Sequence, residues 1–232
     1  MSEKTGIFYA VGVGPGNPDW LTRQACQVLE ACPVIAAPRT ASGEMLALDI
    51  AKGALDLEDK EILPLDFSMA RETEQRLAGY RRAADRIRKE LDRGRDVAMV
   101  NLGDVSVYAT AYYVLEELRR LGYPGKMIPG VTSFCAVAAA LGRSLTEPNA
   151  PLHIFPAGAV DLEAALDLPG TKVFMKSGRA LEKVARALEN RGLGDRAAMA
   201  ADCGLPTQRL FETMEDLPED LGYFATVIVP EA

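Results

Sequence analysis

Short apolar runs alternate with segments of helical periodicity along the first half of the chain, and this alternation limits the fold more than any other feature. Residues 6–13 and 97–102 are mostly apolar runs of strand length, whereas residues 71–93 space their apolar side chains at intervals of three or four. A chain that alternates strands with helices builds a mostly parallel sheet whose faces the helices cover. We therefore predict an N-terminal α/β domain over residues 1–121.

The other elements of this half follow from the same patterns. They are a helix at 19–31, a strand at 34–37 that Pro38 ends, a helix at 41–52, a strand at 61–65 and a helix at 109–121.

A turn-rich segment, GYPG at residues 122–125, separates this series from the rest of the chain. Glycine and proline together favour turns, so we place the domain boundary there. Residues 126–232 combine strand-like runs with two clear helices, which predicts a second α/β domain with a mixed sheet. The strands are expected at 126–128, 154–156, 171–175, 197–201, 208–212 and 223–229, and the helices at 132–141 and 180–191.

The charge balance excludes one large class of partner. The 232 residues carry 26 Lys+Arg against 33 Asp+Glu, whereas proteins that bind nucleic acid through phosphate contacts usually carry a basic excess. The single histidine, and four cysteines without C-x-x-C spacing, predict no metal site. No run reaches the ~20 apolar residues of a membrane span and no signal-peptide core follows Met1, so we expect a cytoplasmic protein that does not enter a membrane.

Three glycine-containing turns follow predicted strands and are the candidates for chemistry. The first, GVGPG at residues 12–16, would bring backbone close to a ligand, ahead of a helix whose N-terminus favours negative charge. It is not the dinucleotide fingerprint, because Asn17 replaces the third glycine and the next strand ends without an acidic residue. The residues alone also allow a tight turn that binds nothing.

The second turn places Gly103 and Asp104 at the end of a strand, where open α/β sheets bind ligands. Asp104 suits a hydroxyl or ammonium group of a ligand, or else it caps the helix that begins near Ser106. The third turn ends in Thr132 and Ser133, either of which is an ordinary helix N-cap or a ligand-binding hydroxyl.

Taken together, the three motifs resemble the tetrapyrrole methylases, the class III S-adenosylmethionine-dependent methyltransferases of corrin and sirohaem biosynthesis. The family's opening G-x-G-P-G-[DN]-P-x-x-L-T is similar to GVGPGNPDWLT at residues 12–22, and its P-G-[VI]-[ST]-[SA] to PGVTS at 129–133. Its G-D-P followed by an aromatic is similar to GDV at 103–105 with Tyr108. Val105 stands where the family has proline, which leaves this loop more adjustable.

The resemblance implies a two-domain α/β fold with S-adenosyl-L-methionine in the cleft between the domains, and a homodimer. The family grips its cofactor largely with loop backbone. Carried over residue by residue, the cofactor-binding positions are Pro15, Leu102, Gly103, Asp104, Val107, Thr132, Ser133, Met175, Cys203 and Thr226. By this resemblance Asp104 binds the ribose or amino group, Thr132 and Ser133 bind the methionine moiety, and Met175 lines the adenine site.

Further stretches are similar to the subfamily that methylates carbon 20 of precorrin-2, or of its cobalt complex, in cobalamin biosynthesis. They lie at residues 37–39, 63–69, 102–110 and 174–176. The tetrapyrrole substrate of that subfamily carries eight carboxylates, for which Arg39 and Lys176 are the expected partners. Methyl transfer from a sulfonium depends chiefly on alignment. Tyr108 is the candidate for removing the proton left on carbon 20, or else it is an aromatic side chain that packs at the start of a helix.

Two other functions stay open. A methyltransferase of the same fold could act on another tetrapyrrole carbon or on a different substrate, such as a modified protein histidine. A noncatalytic module could instead bind a nucleotide-like ligand for regulation. The stretches around Ser68 and Tyr108 favour the carbon-20 function over the first of these alternatives.

Overall fold

The computed structural model of the chain describes residues 5–67, 73–215, 221 and 224–231. The chain divides into two units, Met1–Thr132 and Ser133–Ala232. Among the described residues, none of the helices has the length and apolar character needed to cross a membrane.

The first unit alternates strands with helices, as the apolar runs predict. In chain order the elements are β1 (Phe8–Gly12), α1 (Arg23–Ala31), β2 (Val34–Arg39), α2 (Leu46–Ala54), β3 (Glu61–Asp66), α3 (Thr73–Leu91), β4 (Val97–Asn101), α4 (Thr110–Arg120) and β5 (Gly125–Ile128). The strands form one sheet in the order β3-β2-β4-β1-β5, and every pair in it is parallel. All the carboxyl ends therefore lie along the same edge.

Side chains of the central strands alternate between two cores, one on each face of the sheet. On β4, Val97 and Met99 pack with α3 and α4, whereas Ala98 and Val100 pack with α1 and α2. All four side chains are fully buried. Strands covered on both faces are apolar at nearly every position because neither face meets water, and this explains the apolar run at residues 97–100.

β2 runs through Pro38 to Arg39, although the sequence pattern predicts that the proline ends it. The ladder with β4 stops at Ala36, and beyond that point β2 pairs only with β3, with Arg39 opposite Asp66. Proline is tolerated where a strand has a single neighbour, because its missing N–H then costs no ladder hydrogen bond. The extra residues carry Arg39 to the carboxyl edge of the sheet.

Two helices begin later than the apolar spacing predicts. The segment Pro18–Trp20 is a 3₁₀ turn, and α1 starts only at Arg23, after the N-cap Thr22. Similarly, α2 starts at Leu46 and not at residue 41. The Thr22 side chain caps the start of α1, whereas α2 follows a turn in which the Gly43 N–H donates to the Thr40 carbonyl. Periodicity reports neither feature.

The boundary between the units lies beyond the GYPG turn at 122–125. β5 follows that turn and pairs in parallel with β1, where Ile128 lies opposite Val11. It therefore completes the first sheet, and the first unit extends to Thr132. The sequence pattern predicts a domain boundary between residues 121 and 126. That boundary differs from the structure, since it would place β5 in the second domain, away from the sheet in which it pairs.

The second unit is built on a mixed sheet. Its elements are α5 (Ser133–Ala140), β6 (Leu152–Pro156), α6 (Leu162–Leu166), β7 (Thr171–Met175), α7 (Leu181–Glu189), β8 (Ala198–Ala201), β9 (Arg209–Phe211) and β10 (Ala225–Val229). The strand order is β6-β7-β10-β8-β9, in which β6 and β7 are parallel and the other pairs antiparallel. Both sheets confirm the predicted α/β class.

Two details of the second unit depart from the sequence pattern. The short helix α6 is absent from the prediction; it begins after Asp161, whose carboxylate accepts hydrogen bonds from the N–H groups of Glu163 and Ala164. The strand start expected at residue 223 lies outside the described residues, and β10 begins at Ala225.

We predict that Leu115→Ala lowers the free energy of unfolding by about 2–5 kcal/mol, because the fully buried side chain of Leu115 would leave a cavity between α4 and the sheet. Leu77→Ala is the matched control: Leu77 is 37% exposed on α3, and we expect a change within about 0.5 kcal/mol. Urea denaturation followed by circular dichroism measures both. Equal losses in the two variants would contradict the burial assigned to Leu115.

Candidate active site

The loops that follow β1 and β4 are joined by reciprocal backbone hydrogen bonds. The Gly14 N–H donates to the Gly103 carbonyl at 3.2 Å, and the Gly103 N–H donates to the Gly14 carbonyl at 2.8 Å. Both residues have left-handed backbone, with φ of 76° and 74°. Because side chains disfavour this conformation, glycine at these two positions permits the join.

A second pair of glycines lets the backbone of a third loop approach. A Cβ on Gly130 would lie 2.4 Å from the Gly103 carbonyl oxygen and 2.7 Å from the carbonyl carbon of Gly12. A Cβ on Gly12 would lie 2.7 Å from the same Gly103 oxygen. The loops after β1, β4 and β5 thus meet through bare backbone, and we call their contact the three-loop junction (residues 12–15, 102–107 and 129–132).

Asp104 ties two loops of the junction together. Its Oδ2 accepts the Gly130 N–H at 2.7 Å, and its Oδ1 accepts the Ser106 N–H at 2.8 Å and also the Ser106 hydroxyl. Burial raises the pKa of Asp104, but the hydrogen bonds from Ser106 and Gly130 outweigh it and place the pKa below its ordinary value. Asp104 therefore holds two loops of the protein together. It does not cap a helix near Ser106, because α4 begins at Thr110 with Ala109 as its N-cap.

Thr22, at the start of α1, is hydrogen-bonded to the loop after β5. The sequence patterns did not identify Thr22 as a residue of the site. Its Oγ1 accepts the Ala25 N–H at 3.1 Å, which caps α1, and donates to the Pro129 carbonyl at 3.1 Å. A threonine just before a helix is recognisable as an N-cap. Its bond to Pro129 spans 107 residues, so local sequence gives no signal of it.

Thr132 supplies a buried hydroxyl that no protein group satisfies. Its Oγ1 is the one buried side-chain nitrogen or oxygen without a hydrogen-bond partner among the described parts of the chain. Buried polar atoms are nearly always paired, so this hydroxyl points to a polar ligand.

The structure gathers the predicted cofactor residues of the first unit around the junction. Pro15 is buried, Leu102 and Val107 are half-buried, and Thr132 ends the third loop. Ser133 is the first residue of α5 and belongs to the second unit.

The second unit collects its own predicted residues at one edge of its sheet. β10 is antiparallel to both neighbours, so the carboxyl ends of β7 and β8 share an edge with its start. Met175 ends β7, Cys203 follows β8, and Thr226 is the second residue of β10; all three are buried. Burial raises the pKa of Cys203 to about 11, which keeps it a neutral packing thiol.

Left-handed residues shape the loops at this edge. Lys176 and Asp202, the residues that follow β7 and β8, have φ of 56° and 51°. Ser177 follows Lys176, and its N–H donates to the Ala225 carbonyl at 2.9 Å. The N–H of Asp202 donates to the Phe224 carbonyl, also at 2.9 Å. Non-glycine residues adopt this backbone only where the surroundings enforce it, and such positions cluster at functional sites.

The remaining predicted residues are exposed. Tyr108 precedes α4 with a φ of 49° and is 45% exposed. Lys176 is exposed, and desolvation lowers the pKa of its ammonium group. Arg39 forms a two-point ion pair with Asp66, a partner that the sequence reasoning did not identify. No group of three or more metal-ligating side chains occurs within the described ranges.

Comparison with known proteins decides the family. The family model for tetrapyrrole (corrin/porphyrin) methylases matches residues 8–218, which is most of the chain. The chain belongs to the tetrapyrrole methylase family. This confirms the resemblance carried by the three motifs, and it makes the protein a C-methyltransferase that uses S-adenosylmethionine.

Relatives of this methylase include enzymes of the cobalamin pathway. It is 29% identical over 231 residues to cobalt-precorrin-2 C(20)-methyltransferase of Salmonella typhimurium, covering 97% of this chain and 96% of the relative. It is 33% identical to a probable cobalt-precorrin-2 C(20)-methyltransferase of Methanocaldococcus jannaschii, over 82% of this chain and 80% of the relative. The crystal structure of uroporphyrin-III-C-methyltransferase from Thermus thermophilus aligns with a TM-score of 0.67 at 28% identity, covering 97% of this chain and 94% of that one.

The residues of the methylase fit its cofactor. The unpartnered Thr132 hydroxyl can bond a polar group of S-adenosylmethionine, and the junction offers loop backbone at the carboxyl edge of a parallel sheet, where such folds bind ligands. In the second unit, buried Met175 and Cys203 offer an apolar surface suited to an adenine ring.

We predict that Gly130→Ala destabilises the protein by about 1–3 kcal/mol and weakens binding of S-adenosylhomocysteine, because the added Cβ clashes with the backbone of Gly12 and Gly103 and pushes the Gly130 loop away from both. Gly194→Ala is the control, since a Cβ there meets nothing within 4 Å. Thermal unfolding and isothermal titration calorimetry measure the two effects. Unaltered binding by Gly130→Ala would show that the junction does not shape the cofactor site.

We predict that Asp104→Ala raises the dissociation constant of the cofactor and costs about 1–3 kcal/mol of stability at pH 7, because the Gly130 N–H loses its acceptor. The pKa of Asp104 is lowered in the folded state, so its stabilisation is complete above the ordinary pKa of 3.8 and is lost as the pH falls through the lower folded value. Urea denaturation of the wild type and of Asp104→Ala should therefore show a difference in the free energy of unfolding at pH 7 that becomes smaller below about pH 4. A variant as stable as the wild type at pH 7 would refute this role of Asp104.

Proposed function

We propose that this methylase transfers a methyl group from S-adenosyl-L-methionine to carbon 20 of precorrin-2, or of its cobalt complex, in cobalamin biosynthesis. The observation that carries the proposal is similarity to a cobalt-precorrin-2 C(20)-methyltransferase over 97% of this chain and 96% of the relative. The stretches at 37–39, 63–69, 102–110 and 174–176 support the same carbon.

The proposed cofactor-binding residues are those that the family resemblance implies. We assign cofactor binding to Pro15, Leu102, Gly103, Asp104, Val107, Thr132, Ser133, Met175, Cys203 and Thr226. Asp104 serves chiefly through its bonds to Ser106 and Gly130, which leave its two oxygens already engaged. Thr132 contributes its unpartnered hydroxyl directly.

The reaction asks for positioning more than for strong acids or bases. S-adenosylmethionine supplies an electrophilic methyl group, and holding a nucleophilic carbon in line with it contributes up to about 7–11 kcal/mol. A rigid backbone cradle at the three-loop junction suits this task, since its hydrogen bonds fix the loops before the reactants arrive. A chain with one histidine can therefore perform the chemistry.

The proposed substrate-binding groups are three exposed side chains, each at or just after the end of a strand or its loop. Tyr108 is the proposed acceptor of the proton that carbon 20 loses, because it is exposed beside the Gly103 loop. Arg39 and Lys176 are the proposed partners of substrate carboxylates, which guanidinium and ammonium groups recognise well despite the net charge of -7. We also propose that the protein works in the cytoplasm as a homodimer.

A second candidate is methylation of a different tetrapyrrole carbon. It is favoured by the 28% identity to uroporphyrin-III-C-methyltransferase over 97% of this chain. That relative covers the chain as completely as the carbon-20 enzyme does, so overall fold does not separate the two.

Incubation with ¹³C-methyl-labelled S-adenosylmethionine tests the proposal. Precorrin-2 and its cobalt complex are offered side by side, and carbon NMR of the product locates the new methyl group. A label on carbon 20 is the expected result. A label on another carbon would favour the second candidate, and binding of the donor without transfer to any tetrapyrrole would overturn the enzymatic function.

We predict that Tyr108→Phe lowers kcat by about 10²–10⁴-fold with little change in KM, which is the loss expected when a proton acceptor is removed. Tyr113→Phe on α4 is the control, since Tyr113 is similarly exposed and stacks on Tyr80 with ring centroids 4.9 Å apart. Steady-state assays measure both variants. Equal activity of Tyr108→Phe and wild type would leave Tyr108 without a catalytic role.

A further inference from the structure

The ends of β2 and β3 carry an ion pair at the same sheet edge as the three-loop junction. Arg39 and Asp66 are register partners, each the last residue of its strand. Arg39 Nε donates to Asp66 Oδ1 at 2.9 Å, and Nη2 donates to Oδ2 at 3.1 Å. This two-point geometry is the one by which a guanidinium recognises any carboxylate.

The pair lies at the same sheet edge as the three-loop junction and is open to solvent. β2 is the sheet neighbour of β4, whose following loop contains Gly103 and Asp104. The side chains of Arg39 and Asp66 are 40% and 64% exposed, and an ion pair so exposed contributes little to stability. Its position therefore calls for an explanation other than holding the fold together.

A second arginine, Arg86, has a favourable electrostatic interaction with Asp66. Arg86, on α3, donates to the Pro64 carbonyl on β3, and its charge, together with the hydrogen bond from Arg39, keeps the pKa of Asp66 below the ordinary value. If Arg39 turned to another carboxylate, Asp66 would still have a cation beside it. Exchange of the Arg39 partner would thus leave no uncompensated charge.

We propose that Asp66 is an internal stand-in for a substrate carboxylate, which Arg39 releases when an acidic macrocycle binds. The inference rests on the proposed function, since it needs a polycarboxylate substrate beside the cofactor loops. Asp66 would hold the guanidinium fork at the sheet edge in the absence of substrate, and it would make binding selective, because only a ligand that offers a well-placed carboxylate displaces it.

Removing Asp66 should therefore strengthen substrate binding, whereas removing Arg39 should weaken it. Uroporphyrin, a stable fluorescent macrocycle with eight carboxylates, is the probe, and its binding is measured by fluorescence titration of the full chain. We expect Asp66→Asn to lower the dissociation constant about two- to fivefold, the range set by competition with an exposed ion pair. We expect Arg39→Ala to raise it about tenfold or more.

A general charge effect is separated from displacement by two comparisons. Asp85→Asn removes a carboxylate that is 57% exposed, close to the 64% of Asp66, and that pairs with Arg88 on α3, so it reports the effect of charge alone. In an Arg39→Ala background, Asp66→Asn should lose its advantage over Asp85→Asn, because no fork remains to be released.

The outcomes decide between the function and the inference. If the wild-type protein transferred no methyl group to any tetrapyrrole, that result would contradict the proposed function. With transfer established, tighter binding by Asp66→Asn beyond that of Asp85→Asn, and only when Arg39 is present, supports the stand-in. Unchanged or weaker binding by Asp66→Asn, or an equal gain by Asp85→Asn, overturns it.

Discussion

The close approach of three backbone loops at the carboxyl edge of the first sheet is the constraint on which the rest of the site depends. Gly12 and Gly130 leave no room for a Cβ where the loops after β1, β4 and β5 meet, and the left-handed residues Gly14 and Gly103 exchange two backbone hydrogen bonds. Asp104 then fixes the third loop to the second. A parallel sheet brings these strand ends together, and the glycines convert that proximity into contact.

A site built this way offers backbone groups and a few hydroxyls, which matches the chemistry of the family. Displacement at a sulfonium methyl needs alignment, and a scaffold whose loops are cross-braced before binding provides it at little entropic cost. The proposed acidic substrate is compatible with an acidic chain, because charge acts locally and the guanidinium of Arg39 binds the Asp66 carboxylate at two points.

The sequence predicted the features that depend on local patterns. The apolar runs located β1 and β4 because both strands are buried on two faces, and the glycine turns identified the loops that form the junction. Local sequence patterns did not predict hydrogen-bond partners that lie far apart along the chain. Asp104 accepts a hydrogen bond from Gly130, 26 residues away, and Arg39 donates to Asp66, 27 residues away.

The boundary between the units and the reach of β2 also escaped local reasoning. β5 belongs to the first sheet because it pairs with β1. β2 continues through Pro38 because, beyond Ala36, its only neighbouring strand is β3. The left-handed backbone of Lys176 and Asp202 is likewise enforced from outside, through hydrogen bonds to the segment that enters β10.

A crystal structure of the protein with S-adenosylhomocysteine tests the central claim most directly. We predict that a polar atom of the ligand lies within hydrogen-bond distance of Thr132 Oγ1 and that the ligand contacts the backbone of Leu102 and Gly103, while Asp104 keeps its bond to the Gly130 N–H. A ligand bound elsewhere, with the Thr132 hydroxyl still unpartnered and the three-loop junction untouched, would contradict it.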